Sequence, residues 1–197
     1  VGGGFGGVRT ALDLEKKLHG HVEITLVDRN QFHLFTPSLY EVASAYGLKN
    51  DRFNMQLRQT VAIHYDEIFQ GRQVQFIQAE VRDINLSTRA VTTQGGHLFH
   101  YDYLVLAMGS ESADFGIPGI KDYAFRFKML NDAIHVSEQA FQLFQEIAQG
   151  LRQQPLKMCI AGAGFTGVEL AAELSLYGRK VAHKLRLREK PFLIFLF

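Results

Sequence analysis

Apolar residues at Val8, Ala11, Leu14 and Leu18 recur at spacings of three and four, which predicts an amphipathic helix just after a glycine-rich turn at residues 2–7. Gly20 is placed to close it, because helices often end on a left-handed residue. Residues 22–27 alternate and then run apolar, predicting a strand that ends at Asp28-Arg29-Asn30 and leads into an aromatic loop, 32–40. Residues 41–69 read as short helices with polar interruptions. Strands are predicted over 73–84, 90–93 and 97–100, with a Gly95-Gly96 turn between the last two, and residues 103–107 as a buried strand.

Between residues 110 and 130 the pattern weakens, and Pro118-Gly119 marks a linker. Asn131 is expected to cap a helix running to about Gln149, after which Gly150 and Pro155 punctuate the chain. Strand, glycine turn and helix then recur over 156–177, with Gly178 positioned to end the helix. The opening Val1-Gly-Gly-Gly-Phe-Gly-Gly-Val8 is thus echoed by Ala161-Gly-Ala-Gly-Phe-Thr-Gly-Val168. One device used twice predicts an α/β, Rossmann-like fold for two dinucleotides, three-layered, with a parallel sheet and inserted antiparallel strands. The expected organisation is a first dinucleotide domain over 1–115, a connection and helix over 116–155, and the start of a second over 156–197.

The chain has 197 residues, nearly half of them apolar, enough for a substantial core. A formal net charge of +1 argues against a dedicated nucleic-acid binder. Cys159 is the single cysteine and sits in an apolar run, so it is expected to be a buried small hydrophobe, with neither a disulfide framework nor a cysteine metal site. The longest apolar run, 192–197, suits a buried strand and falls far short of the roughly 18–20 residues needed to span a bilayer. Val1 stands where a start methionine would, the glycine turn follows at once, and the chain stops within an apolar run. Truncation at both ends is therefore expected, with the strand before Gly2 missing and the segment alone inactive.

In a G-x-G-x-x-G turn the first glycine makes the tight bend, the second admits a pyrophosphate, and the third lets helix pack closely on strand. Gly2, Gly4 and Gly7 fill those places here, and Asp28, about 20 residues on at a strand end, is the expected acceptor for an adenosine ribose hydroxyl. Gly162, Gly164 and Gly167 form the second set. The acid that would decide between NADH and NADPH falls where the chain stops. Arg179, Lys180, Lys184, Arg186, Arg188 and Lys190 could meet a 2′-phosphate or an anionic lipid surface, but a solvated basic connection is the simpler reading.

These motifs, together with Val27-Asp-Arg-Asn, Phe32-His-Leu-Phe-Thr-Pro, Gln78-Ala-Glu-Val81, Tyr101-Asp-Tyr-Leu-Val-Leu-Ala-Met-Gly-Ser110 and Gly162-Ala-Gly-Phe-Thr-Gly-Val-Glu-Leu-Ala171, resemble the two-dinucleotide-binding-domain flavoproteins, most closely type II NADH:quinone oxidoreductases. The resemblance implies FAD and NADH as cofactors. It implies that Gly2, Gly4, Phe5, Gly7, Asp28 and Arg29 hold FAD, with Glu80 and Val81 beside its adenine, and that Ala107 and Gly109 match an Ala-Thr-Gly segment in which Met108 replaces the threonine. His33 either lines the flavin pocket or packs in the aromatic loop. Gly162, Gly164, Phe165, Thr166 and Gly167 would receive the nicotinamide dinucleotide.

Glu169 resembles a family glutamate near nicotinamide and flavin, or is simply a first-turn acid favoured by the helix dipole. The implied reaction passes a hydride from NADH to FAD and electrons on to a quinone, in an enzyme peripheral to the inner face of the membrane and a possible homodimer. Disulfide reductases and sulfide:quinone oxidoreductases need redox cysteines near the flavin, which one cysteine does not provide. A reductase of the same fold with another acceptor, and a non-catalytic nucleotide-binding module, remain as alternatives.

Overall fold

The protein is described by a computed structural model covering residues 1–18, 20–48, 50–187 and 191–197. It divides into two compact units, residues 1–34 with 62–111, and residues 35–61 with 112–197.

In the first unit, helix α1 (Phe5–Leu18) leaves the opening glycine turn, and strand β1 (Ile24–Asp28) follows. Ala11 is the buried centre of the helix face, flanked by Val8 and Leu12, which pack on Leu26 and its neighbours. Val8 and Ala11 face inward as expected and Leu14 is half-buried, whereas Leu18, in the last turn, is exposed. Gly20 does sit just beyond the helix with φ +80°. The aromatic loop resolves into strand β2 (Phe32–Leu34), a 3₁₀ turn (Thr36–Ser38) and, in the second unit, helix α2 (Leu39–Ala43) and helix α3 (Asp51–Val61).

Strand β3 (Ala62–His64) returns antiparallel to β2, pairing Phe32 with His64 and Leu34 with Ala62, and the short helix α4 (Tyr65–Ile68) follows it directly. Strand β4 (Val74–Gln78) then lies parallel to β1, Ile24 opposite Val74 and Asp28 opposite Gln78. Residues 73–84 are thus not one strand. Ala79 N–H donates to Asp28 O, whereas Glu80 O already accepts from Gln94 N–H, so the chain changes partners at this step. Strands β5 (Val81–Asn85), β6 (Ala90–Thr93) and β7 (Leu98–His100) form a three-stranded antiparallel sheet closed by the expected Gly95-Gly96 turn.

Residues 103–107 do not form the expected buried strand. The Val1 nitrogen donates to Val105 O and Ala107 N–H donates to Val1 O, so one residue makes all the pairing, and Tyr103 is 95% exposed.

In the second unit, the short helix α5 (Ile120–Tyr123) precedes helix α6 (Leu130–Ala148). The cap of α6 is not Asn131. Met129 is the N-cap residue, and the Asp132 carboxylate accepts from both Met129 N–H (2.8 Å) and Lys128 N–H (2.9 Å), satisfying donors that a helix start leaves open. Strand β8 (Leu156–Ile160), helix α7 (Phe165–Lys184) and strand β9 (Phe192–Leu196) complete a parallel pair, Leu156 opposite Phe192. The strands alternate, so Leu156 is buried while Lys157 and Cys159 share an exposed face. The expected burial of Cys159 is therefore overturned, and so is that of 192–197, where Phe192 and Ile194 are half-buried while Leu193 and residues 195–197 are exposed.

Gly178 does not end α7. It lies inside the helix, buried, where a Cβ would come within 2.7 Å of the Phe192 ring. Gly178→Ala gains helix propensity, about 1 kcal/mol, but forces that ring to move. A net loss of roughly 1 kcal/mol is expected, read as a lower thermal midpoint; an unchanged or raised midpoint contradicts the packing role. Since α7 extends to Lys184, Arg179, Lys180 and Lys184 lie on a helix rather than on a basic connection, and Lys184 hydrogen-bonds Gly47 O. Arg186 is exposed beyond the helix, and Arg188 and Lys190 lie outside the described residues.

The turn after α2 is tied to α6 and α7. Ser137 Oγ accepts from Tyr46 N–H (3.0 Å), Tyr177 O–H donates to Tyr46 O (2.9 Å), and Ser44 O–H donates to the Glu173 carboxylate (3.0 Å).

Candidate functional site

At the first glycine turn, Gly2 N–H donates to Val27 O (2.9 Å) and Gly2 adopts φ +98°, with its Cβ position 2.3 Å from Ala107 O. Only glycine fits there. A Cβ on Gly7 would lie 1.8 Å from Gly2 O and 3.4 Å from the Leu26 side chain, so the third glycine sets the close approach of helix to turn. A Cβ on Gly4, by contrast, meets nothing within 4 Å. That is the open side of the cradle. Gly4 O accepts the first helical bond of α1, from Val8 N–H, and the first turn of α1 holds no acidic side chain, leaving the positive end of the dipole for an external anion.

Asp28 ends β1 beside this turn. Its Oδ2 accepts from Gly3 N–H (2.6 Å), and its Oδ1 accepts from the Asn30 backbone N–H (2.7 Å) and side-chain amide (3.1 Å). Arg29 is exposed one residue on, its carbonyl accepting from the Gln78 side chain. Glu80 and Val81 leave the end of β4 next to Asp28, as the Ala79 to Asp28 bond requires. Ala107 crosses the Gly2 peptide, and Gly109 turns away with φ +72°.

His33 is buried, its Nδ1 3.0 Å from Gly3 O, with its ring edge-on to Phe5 at 4.7 Å. The unit thus brings together Gly2, Gly4, Phe5, Gly7, Asp28, His33, Ala107 and the Glu80-Val81 step. Sequence reasoning missed Tyr65. Its hydroxyl donates to Gly3 O (2.8 Å) from 62 residues away, and its ring lies parallel to Phe69 and tilted by 36° against Phe76. The one sequence signal was Gly3 itself, where the second copy carries Ala163.

Burial, reinforced by the Asp28 carboxylate, raises the Tyr65 hydroxyl well above its ordinary value, and burial does the same for Tyr177, with a smaller push from Tyr46. The neutral forms are the ones the fold favours. Their stabilisation is complete below about pH 10 and is lost as pH climbs through the folded values. In an alkaline titration of phenolate absorbance, Tyr65 and Tyr177 are expected to ionise last of the seven tyrosines, together with unfolding. Seven tyrosines titrating together with the fold intact contradicts this.

The second turn repeats the first. Gly162 adopts φ +116° and its N–H donates to Phe197 O (2.9 Å). A Cβ on Gly167 would lie 1.7 Å from Gly162 O and 3.5 Å from the Leu196 side chain, while Gly164 again faces nothing within 4 Å. Phe197 therefore takes the place of Val27, and Leu196 that of Leu26. Phe165 and Thr166 open α7 and are exposed, Phe165 by 92%. Glu169 is not in the first turn of the helix, which holds no acid; it is the fifth residue, exposed and one turn beyond Phe165. The dipole reading of Glu169 loses its basis, since the effect fades after the first turn.

Two glycine turns, each opening a helix beside a pair of parallel strands, define a Rossmann-like FAD/NAD(P)-binding oxidoreductase fold. A family model described as pyridine nucleotide-disulphide oxidoreductase matches residues 1–191, and the chain belongs to that family. Its curated relatives include type II NADH:quinone oxidoreductases of Staphylococcus haemolyticus and Staphylococcus aureus, each 33% identical over 89% of this chain. The chain spans 42% of the length of either. Among solved structures, NDH2 from Plasmodium falciparum in complex with NADH matches 99% of this chain and 40% of its own with a TM-score of 0.82 at 20% identity. Sulfide:quinone oxidoreductase from Aquifex aeolicus covers 93% of this chain and 40% of its own, with a TM-score of 0.69 at 23% identity.

Proposed function

We propose that the first turn holds the diphosphate of FAD and the second that of NADH, in a protein that is a type II NADH:quinone oxidoreductase. The observation that carries this reading is the paired turn geometry, in which the first and third glycines of each set are forced by backbone contact and the second opens onto free space. In the first cradle, α1 presents its N-terminus to the diphosphate, Asp28 directs its remaining lone pairs to the ribose, and Glu80 and Val81 border the adenine, with Arg29 at the rim. Ala107 closes the turn with its backbone, Gly109 gives the chain its bend beyond it, and Phe5 and His33 flank the turn. Gly164, Phe165 and Thr166 offer the second diphosphate the start of α7, and Glu169, exposed one turn further along the same helix face as Phe165, is the candidate catalytic residue.

The bound pair supplies the redox chemistry, hydride transfer from nicotinamide to flavin and electron delivery to a quinone. The division of labour along the chain is residues 1–115 for FAD, 116–155 as connection and 156–197 for NADH. Peripheral attachment to the inner face of the membrane and a homodimer belong to the same reading. No described helix is long and apolar enough to cross a membrane.

Full-length protein is expected to purify yellow, to be bleached by NADH without oxygen, and to regain colour on addition of a soluble quinone. Colourless protein, or a flavin that NADH leaves oxidised, overturns the assignment. Bleaching without recovery removes only the quinone.

A further inference from the structure

Gly3 lies between the first and second glycines of the opening turn, and its peptide is held on both sides. Its N–H donates to Asp28 Oδ2, and its carbonyl receives the Tyr65 hydroxyl at 2.8 Å while His33 Nδ1 lies 3.0 Å away. A carbonyl oxygen has two lone pairs, so both contacts are made as hydrogen bonds when His33 carries its proton on Nδ1. Tyr65 is 1% exposed and His33 6%, so neither contact is weakened by water.

The β2 and β3 pairing delivers both groups, His33 from the middle of β2 and Tyr65 from the residue after β3, with Tyr65 N–H donating to Gln31 O. A Cβ on Gly3 would fall 1.9 Å from the Tyr65 oxygen, so glycine is required for the hydroxyl to reach the turn. At the corresponding place in the second turn, Ala163 carries that Cβ and is exposed. A tyrosine hydroxyl seated as in the first turn is sterically excluded there.

We propose that Tyr65 and His33 are positioning residues that clamp the Gly3 peptide, preorganising the first turn to retain its dinucleotide, while the Ala163 methyl bars a tyrosine clamp of this kind from the second turn, which receives the dinucleotide that exchanges at every turnover. This rests on the assignment of FAD to the first turn and NADH to the second. A turn already fixed in its binding conformation loses less freedom when the diphosphate arrives, so the clamp slows dissociation.

The test uses full-length, flavin-loaded protein and follows FAD release by the recovery of free-flavin fluorescence. Tyr65→Phe removes one hydrogen bond and keeps the ring, and is expected to speed release roughly five- to tenfold, the effect of a single hydrogen bond. The KM for NADH, measured with FAD in excess, is expected to stay unchanged. Tyr177→Phe, which loses an equally buried hydroxyl bonded to Tyr46 O, controls for general destabilisation and is expected to leave FAD release at the wild-type rate. His33→Leu is expected to act like Tyr65→Phe, and His33→Gln, which restores a donor, to recover part of the loss. This pair keeps the test intact should Tyr65→Phe fail to fold. Wild-type protein with no flavin defeats the cofactor assignment. Flavin bound in the wild type, with equal release rates from all four variants, defeats the clamp alone.

Discussion

Gly167→Ala in the full-length protein is expected to abolish NADH oxidation while leaving the flavin in place, and Gly7→Ala to give colourless protein. Each new methyl would sit against a backbone carbonyl, 1.7 Å from Gly162 O or 1.8 Å from Gly2 O, with no flexible side chain to give way. The helix must therefore move off the turn it caps. Overpacking of this kind costs about 3 kcal/mol or more when backbone has to shift, roughly a hundredfold or more in cofactor affinity. Gly164→Ala makes the matched comparison, since its methyl meets no protein atom within 4 Å and points into the space left for the ligand. That variant should melt like wild type yet show a raised KM for NADH. Wild-type NADH kinetics in Gly167→Ala, or a melting point in Gly164→Ala as low as in Gly167→Ala, would contradict the roles given to the two glycines.

The second large effect is expected at Phe144, on α6. Its side chain is 0% exposed and its ring stands edge-on to Phe192 of β9 (5.7 Å, 82°) and to Tyr177 of α7 (6.5 Å, 68°), so one residue joins three elements of the second unit. Phe144→Ala leaves a cavity that the two remaining rings, each held by its own backbone, fill only in part. A loss of about 3–5 kcal/mol is expected, a large share of a domain's usual margin. Denaturant unfolding of the full-length protein, followed by proteolysis within residues 130–197, gives the measure. A midpoint within experimental error of wild type would remove Phe144 from the centre of this core.

Much of this was legible from short-range patterns. The glycine turns, the strand that ends at Asp28 and the Gly95-Gly96 hairpin each depend on residues a few places apart, and the structure places them as the spacing suggested. What escaped was whatever depends on a distant partner. Tyr65 lies in a stretch broken by polar residues, and nothing local says that its hydroxyl meets Gly3. Gly178 reads as a helix end until Phe192 is seen occupying the space a side chain would need. Residues 103–107 have the composition of a central strand, but pairing is a property of neighbours, and among the described residues Val1 is the one that bonds this stretch. Cys159 shares an apolar run with Leu156, yet strand alternation sends the two to opposite faces. Asp132 outcompeted Asn131 at the start of α6 because its carboxylate reaches back to two backbone donors, a geometry that residue preference at a cap does not encode.

The ties from the turn after α2 have a bearing on how the protein is made. Ser44 waits for Glu173, Tyr46 for Ser137 and Tyr177, with 91 to 131 residues of chain between the partners. The unit built from residues 1–34 and 62–111 has strands β1 to β7 once residue 111 has left the ribosome, whereas the excursion between its two parts meets α6 first and its last partners, Glu173 and Tyr177, only when α7 emerges. Contacts of such long sequence separation form slowly. In stalled nascent chains, residues 35–61 should reach full protection from protease only when about position 184 has cleared the exit tunnel, leaving a window in which a chaperone has this looped-out stretch to hold.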